Sequence, residues 1–536
     1  MTASVSTALR ISYVALLAVV SLALGAAYSI YNTDLHHWGF ILGTALDVMR
    51  GRNPFSEVFI QYGVGQPLLL SALGHAMPIN LTTIGFIVSG AYALTLIVLF
   101  LCLEEVTSAI QAVAITTIAF LMHPYPTYPW PDYLAGLCLC VACYCLVRRF
   151  GQTRGVAGVA PGLFLFLAFL FRNTYLVNIL VASAAYAALA LVSTRARCRE
   201  VVIAIAIFAV LTCGYFAFLY LQGNLGQWYR QNFGAATNTY GVGTTNIHGL
   251  ILAIIRPYDL GGSIMTGLIA SNAWLVFLLA FGKEERTVGR RAVPSGIVIV
   301  VALLGMCGVV QGLQFYEMFR LQNAGISLYL GFACLLSLWL PSDVRATLRM
   351  GSNIALGALA VVLLAGFSSR LEGRNWSIVW PLVEVPENGE ERYSMAYLLD
   401  RYSTLDDVAI FRTHRFRPEL KIYYEELRKY LCDGRARIVN LTRDSTIPYL
   451  CSGQENALGI PAYSEPLLST VSPGDVEAIR NHRFAADEIV VTDSLRGVFA
   501  SPSSAGLERI GTVQRPGSIK FLRPAEIGIF RVAPER

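Results

Sequence analysis

The stretch YNTDLHHWGF, residues 31–40, follows the first long apolar run of the chain and decides how the rest is read. An aspartate, two histidines and a tryptophan arrive together where that run ends, and an apolar pattern of helical spacing then resumes. Through residues 36–51, HHWGFILGTALDVMRG, Trp38, Ile41, Leu42, Ala45, Leu46 and Met49 recur at the period of one helix face. This predicts a short amphipathic helix lying along a membrane surface, with Asp34 at its start, where a carboxylate caps the free N–H groups. Gly51 ends it. The irregular segment RNPFSEVFIQYGVGQP follows, and PLLLSALGHAM reads as a second short helix with Pro67 in its first turn.

Composition supports a membrane setting. Of 536 residues, 55% are hydrophobic and only 14% charged, well below the quarter or so usual in soluble domains. The formal net charge of +6 is spread over loops, which argues against a nucleic-acid partner. Apolar runs at about 11–30, 82–103, 108–122, 133–147, 156–171, 174–193, 201–221, 262–281, 293–312, 324–340 and 352–367 give eleven candidate spans. The basic segments RRFGQTR, RARCRE, GKEERTVGRR and SDVRATLR then share one side with Arg10, and the bias of Lys and Arg makes that side cytoplasmic. The expected fold is a polytopic α-helical membrane domain over 1–368, with residues 31–81 as its first outer loop, and an extracytoplasmic α/β domain over 369–536. In the latter, DVAIFR, ARIVNL, DEIVVTD and IGIFRV read as strands, and SMAYLLDRY and PELKIYYEELRKYL as helices.

Nine of the eleven cysteines lie in or beside apolar runs, four of them in LCLCVACYC, where a metal would lack polar support. Cys432 and Cys451 sit in the exported part and close a short loop, so they are expected to pair.

On this topology the membrane-domain acids Asp34, Asp47, Glu57, Asp132, Asp259 and Glu317 gather at the outer ends of spans, as do Arg50, Arg52, Arg172, Arg230, Arg256 and Arg320. Ionisable groups at such depth are costly and mark function. Asp34 has two readings, an N-cap alone or a general base held in place by its helix start.

The pattern D-x-H-H-x-G, then G-R-N-P-F, then Q-Y-G-x-G-Q-P-L-L over residues 28–75 resembles the first outer loop of GT-C type glycosyltransferases. These include protein O-mannosyltransferases and lipid A aminoarabinose transferases. The chain departs from them in having Asp34-Leu35 where several members have Asp-Glu, GVGQP in place of Pro-Pro, and no Asp-x-Asp metal motif. The resemblance implies a polyprenyl-phosphate sugar donor, a glycan, lipid or protein acceptor, and inversion at the anomeric carbon; the missing Asp-x-Asp motif argues against a divalent metal, and no cofactor is expected. Asp34 would take the acceptor proton; Arg320, Arg256 and Arg172 would meet the leaving phosphate. His36, His37, Glu57, Gln61, Tyr62, Asp132 and Gln322 are further substrate-binding candidates. The glycine-rich segment TYGVGTTNIHG, residues 239–249, reads as an outer loop. Two rivals are a transporter or flippase for lipid-linked glycans and an O-antigen ligase or polymerase. The first would show repeats and mid-membrane polar groups; the second carries its main outer loop late in the chain.

The topology is testable by itself. Cysteine labelling or reporter fusions should place residues 31–81 and the tail from about 370 outside a bacterial inner membrane, with the N-terminus, Arg148, Arg197 and Arg290 inside; a cytoplasmic C-terminus would overturn the scheme.

Overall fold

The structure is a computed structural model that describes residues 2–31, 34–123, 126, 128–149, 158–234, 260–282, 288, 292–308, 318–339, 353, 355–359, 403–432, 434, 436–459, 482–493, 506–517 and 524–532. Helices occupy ten of the eleven apolar runs: α1 (Thr2–Tyr31), α4 (Leu81–Val106), α5 (Ala109–Met122), α6 (Asp132–Arg149), α7 (Val159–Phe171), α8 (Thr174–Val192), α9 (Arg199–Leu221), and Leu260–Phe281, Ser295–Gly308 and Ser327–Trp339. Five contain stretches long and apolar enough to cross a bilayer, and the chain is an integral membrane protein. The run at 352–367 lies largely outside the described residues, as do SMAYLLDRY and the 368/369 domain boundary.

Local chemistry sets several helix ends. Asn80 caps α4 by accepting from Thr83 N at 2.8 Å. A Ser108–Gln111 capping box separates α5 from α4, so the apolar sequence continues while the helix does not. At the opposite end of α4, Glu104 pairs with Arg10 Nε at 2.7 Å, and Glu105 lies within electrostatic reach of Arg148. These two acids thus offset basic neighbours.

Small residues let the spans approach. A Cβ on Gly25 would collide with Ser89, and one on Gly85 with Ser29, so two Gly–Ser pairs interlock α1 and α4. On α7, Gly158 and Gly162 receive Ile203 and Ile207 of α9, with 2.6 and 2.7 Å to the Cβ each would gain. Lipid offers no hydrophobic gain for helix association, so this close packing is what holds such pairs together.

The C-terminal domain has a two-stranded antiparallel ribbon, β1 (Ser403–Thr404) with β2 (Arg415–Phe416), and a five-stranded sheet in the order β4-β3-β5-β7-β6: β3 (Arg437–Leu441), β4 (Glu455–Asn456), β5 (Glu488–Thr492), β6 (Leu507–Arg515) and β7 (Ala525–Val532). Strands β4, β3 and β5 are parallel, while β7 runs antiparallel to both β5 and β6. ARIVNL, DEIVVTD and IGIFRV are therefore strands. DVAIFR is not. Residues Ala409–Phe411 form a 3-10 turn, because Asp406 accepts from Thr413 N at 3.3 Å and closes the segment on itself. Helix Pro418–Leu431 forms over the whole of PELKIYYEELRKYL and buries Leu420, Tyr423, Tyr424, Leu427 and Leu431. Cys432 and Cys451 form the expected disulfide, with Cα atoms 5.4 Å apart.

What positions the site is α2 (Leu35–Met49). Read from sequence as a surface helix, it is covered on nearly all sides, with twelve of its fifteen residues buried. One side packs on α4 and on α3 (Gly65–Gly74); Trp38 of that side lies against Gly85. The other side, His36, Gly39, Gly43 and Asp47, forms a stripe that receives residues 443–449 of the C-terminal domain. A Cβ at Gly39 would stand 2.9 Å from Thr446 N, and one at Gly43 2.5 Å from the Tyr449 ring. Ser445 Oγ donates to His36 O at 2.8 Å, and Tyr449 Oη donates to Asp47 at 2.9 Å. Arg52 Nη1 donates to Asn456 O at 2.7 Å. Burial pushes the Asp47 carboxyl up, against the opposing pull of Arg52.

His36 belongs to this interface. Its Nδ1 lies 2.8 Å from Arg443 O, so the neutral ring donates to that carbonyl. Burial, aided by His37, lowers its pKa from 6.5 to about 4. The undocked ring therefore binds the proton more readily than the docked one. Docking energy from this group is full above pH 6.5 and falls as the pH drops toward 4. Asp47 and Asp444, both raised by burial, titrate in the opposite sense. The His36→Asn variant isolates the imidazole, since an amide can donate to the same carbonyl without titrating. Between pH 6.5 and 4, the thermal midpoint of the wild-type C-terminal domain should fall relative to that of His36→Asn.

Candidate active site

Asp34 lies in the break between α1 and α2 and is wholly buried. Its Oδ1 accepts from His37 N at 3.1 Å, which makes it the N-cap of α2. The same carboxylate also meets His37 Nδ1, at 2.9 Å from Oδ1 and 2.7 Å from Oδ2. The cap and a carboxylate–imidazole pair are thus one structure, built within a single helical turn.

The His37 ring, unlike Asp34, keeps 24% of its side chain exposed. It stands edge-on to Tyr128 at 5.1 Å and to Trp130 at 4.9 Å. Trp130 in turn meets Tyr62 at 4.4 Å. This aromatic wall is assembled from two loops. The α5–α6 loop, YPTYPWPDY, is pinned where Gln66 Nε2 donates to Pro129 O at 2.8 Å. The first outer loop is pinned where Asn173 N donates to Tyr62 O at 2.7 Å. Glycine at 63 has a specific cause, since a Cβ there would come within 2.5 Å of the Leu170 and Phe171 carbonyls at the end of α7. Close approach to α7 accounts for GVGQP where the resembled family has Pro-Pro.

Beyond Tyr62 the wall meets a cation. The Arg172 guanidinium carbon sits 4.4 Å from the Tyr62 ring centroid. Its Nε lies 3.5 Å from Asp132 Oδ1, in the first turn of α6, and both residues are buried. That separation is long for an ion pair. Arg172 Nε and Nη1 and both Asp132 oxygens have no hydrogen-bond partner among the described residues. Arg320, buried on the short helix Met318–Ala324, is near enough for its charge to repel that of Arg172.

Asp34, His37, Trp130, Tyr62, Arg172 and Asp132 are therefore linked by a chain of side-chain contacts, with Arg320 within electrostatic reach of Arg172. The other candidates are placed elsewhere. Gln322 is buried between helices, donating to Ala119 O at 2.6 Å and Tyr92 Oη at 3.3 Å. Glu57 is exposed and accepts from Asn53 N at 2.7 Å, closing a local turn. His36 serves the interdomain contact. Gln61 is half-buried beside Tyr62. Arg256, Asp259, Glu317 and residues 239–249 fall outside the described residues. Among the described residues, no cluster of three His, Cys, Asp or Glu side chains is placed to hold a metal. Sequence reading missed the wall itself: YPTYPWPDY carries Tyr128 and Trp130 between prolines, but only Asp132 was singled out from it.

No family model matches the chain, and no curated protein matches it in sequence. Solved structures do. ArnT from Cupriavidus metallidurans bound to undecaprenyl phosphate aligns over 98% of this chain and 99% of its own, at 12% identity and a TM-score of 0.53. The archaeal oligosaccharyltransferase AglB from Archaeoglobus fulgidus, in complex with an inhibitory peptide and a dolichol-phosphate, aligns over 91% of this chain and 70% of its own, at 12% identity and a TM-score of 0.46. The chain shares the fold of ArnT over nearly its whole length, and the resemblance read from residues 28–75 holds at the level of fold.

Proposed function

We propose that this protein is a membrane glycosyltransferase that moves a sugar from a polyprenyl-phosphate donor to a hydroxyl of a glycan, lipid or protein acceptor. The reaction takes place at the extracytoplasmic face of a bacterial inner membrane, inverts the anomeric centre and needs no cofactor. The observation that carries this reading is the shared aromatic wall, which ends in a carboxylate–imidazole pair with a buried carboxylate on one side and a buried arginine on the other. The fold shared with a protein bound to undecaprenyl phosphate supports the donor class.

The chemistry follows from the two ends. A base built on Asp34 removes the proton of the acceptor hydroxyl, whose oxygen attacks the anomeric carbon. The bond from that carbon to the phosphate oxygen breaks, and negative charge grows on the departing lipid phosphate. Arg172, with Arg320 close by, meets that charge with a planar fork of donors. Aromatic faces between the two ends suit the apolar face of a sugar ring.

The assay is release of undecaprenyl phosphate from the polyprenyl-phosphate-sugar pool extracted from the source cell membranes. Asp34→Asn should lower turnover by about 10²–10⁴-fold while leaving insertion and thermal midpoint intact, since Asn caps a helix about as well as Asp. An active variant would leave Asp34 a cap and nothing more. Arg172→Lys should cost at least about tenfold, mainly in kcat, because lysine keeps the charge but loses the two-donor fork. Wild-type turnover in that variant would assign the leaving group to another cation, with Arg320→Lys as the parallel measurement.

A further inference from the structure

The carboxylate expected to act as base has no exposed surface. Asp34 is wholly buried, and each of its oxygens faces a nitrogen of His37. His37 Nδ1 lies within 2.9 Å of both oxygens. An ionised carboxylate can only accept, so Nδ1 carries the hydrogen and the lone pair of the neutral ring is on Nε2. The ring is the partly exposed member of the pair, and it lies against Tyr128 and Trp130. Asp34 thus stands to His37 as the buried acid of a catalytic triad stands to its histidine, fixing tautomer and orientation.

We propose that His37, through Nε2, is the proton acceptor of the transfer reaction and that Asp34 is its positioning partner. This rests on the glycosyl-transfer reading above. The acceptor O–H bond breaks, its proton goes to His37 Nε2 and its electron pair forms the new bond to the anomeric carbon. The electrons of the broken carbon–oxygen bond leave with the lipid phosphate. The imidazolium that results is stabilised by the Asp34 carboxylate, which itself stays ionised. Placing the base on the second histidine of the D-x-H-H step also explains why the two histidines behave differently. His36 points to Arg443 O of the C-terminal domain, while His37, its ring edge-on to that of His36 at 4.7 Å, meets the wall.

Two measurements decide it, one of them independent of activity. Nitrogen-15 NMR of histidine-labelled protein in detergent should show His37 as the Nδ1–H tautomer in wild type and show a changed tautomer balance in Asp34→Asn. A wild-type His37 protonated on Nε2 alone would overturn the proposal. In the undecaprenyl phosphate release assay, His37→Asn keeps a donor toward Asp34 but offers no basic nitrogen, and should lose about 10²–10⁴-fold in turnover. His37→Gly should be equally impaired and should regain activity with added imidazoles, the rate rising with their basicity. Thermal midpoints and binding of undecaprenyl phosphate, unchanged from wild type, show that each variant is folded. An active His37→Asn beside an inactive Asp34→Asn would return the role of base to the carboxylate and leave the glycosyl-transfer reading standing. An inactive His37→Asn with no response of His37→Gly to any imidazole would overturn the proton role. A wild type that releases no undecaprenyl phosphate would remove both readings.

Discussion

Burying the Asp34 carboxylate is the constraint from which the rest follows. A charged group taken fully out of water costs several kcal/mol unless bonds replace its hydration. Here the backbone and ring nitrogens of His37 both face the carboxylate and supply such bonds. That arrangement exists only if α2 begins at Leu35, with residue 37 at the third helical position. Once the start is fixed, every later side chain of α2 has a set direction. Trp38 goes toward α4, while Gly39, Gly43 and Asp47 go toward the C-terminal domain.

The C-terminal domain therefore acts on the site through a helix rather than through a loop. Residues held on a packed helix keep their geometry better than residues on free chain. The two glycines bring the domain's 445–449 segment almost onto the helix backbone, and Tyr449 anchors the far end on Asp47. The segment is itself stiffened: Asp444 accepts from Tyr424 Oη at 2.8 Å and from Thr446 Oγ1 at 2.6 Å, and its backbone N donates to Thr442 Oγ1 at 3.1 Å. A rigid turn pressed on a rigid helix places Asp34 and His37 at the junction of the two domains.

Much of this was legible in the sequence, and the remainder shows why some of it was not. The spans are legible because a bilayer demands about twenty apolar residues and composition alone reveals them. Helix Pro418–Leu431 is legible because proline, acid and base each stand at the end they favour. DVAIFR misled because Ile410 and Phe411 are apolar for burial's sake, while Asp406 turns the chain. Strand β6 went unread because it lies at the sheet edge, where LERIGTVQR is half exposed and shows no clean alternation. The contacts that assemble the site span long stretches of chain, from Tyr62 to Arg172 and from His36 to Arg443. Pattern within a window cannot register them. For Gly39 and Gly43 the signal was present, as two small residues four apart on one face, but it names a close contact without naming the partner.

The loose geometry of the Asp132–Arg172 pair bears on how an arginine can be buried and still be of use. A tight, two-point pair would lower the cost of burial furthest, yet it would occupy the fork that a phosphate needs. At 3.5 Å, Asp132 supplies attraction without taking a hydrogen bond, and the Tyr62 face supplies more. Arg320 works the other way, its charge repelling that of Arg172. The balance favours whatever anion arrives within reach of the fork. In the proposed reaction a leaving phosphate would gain its charge as the sugar bond breaks, and such a site would bind the late state better than the early one, which is what acceleration requires.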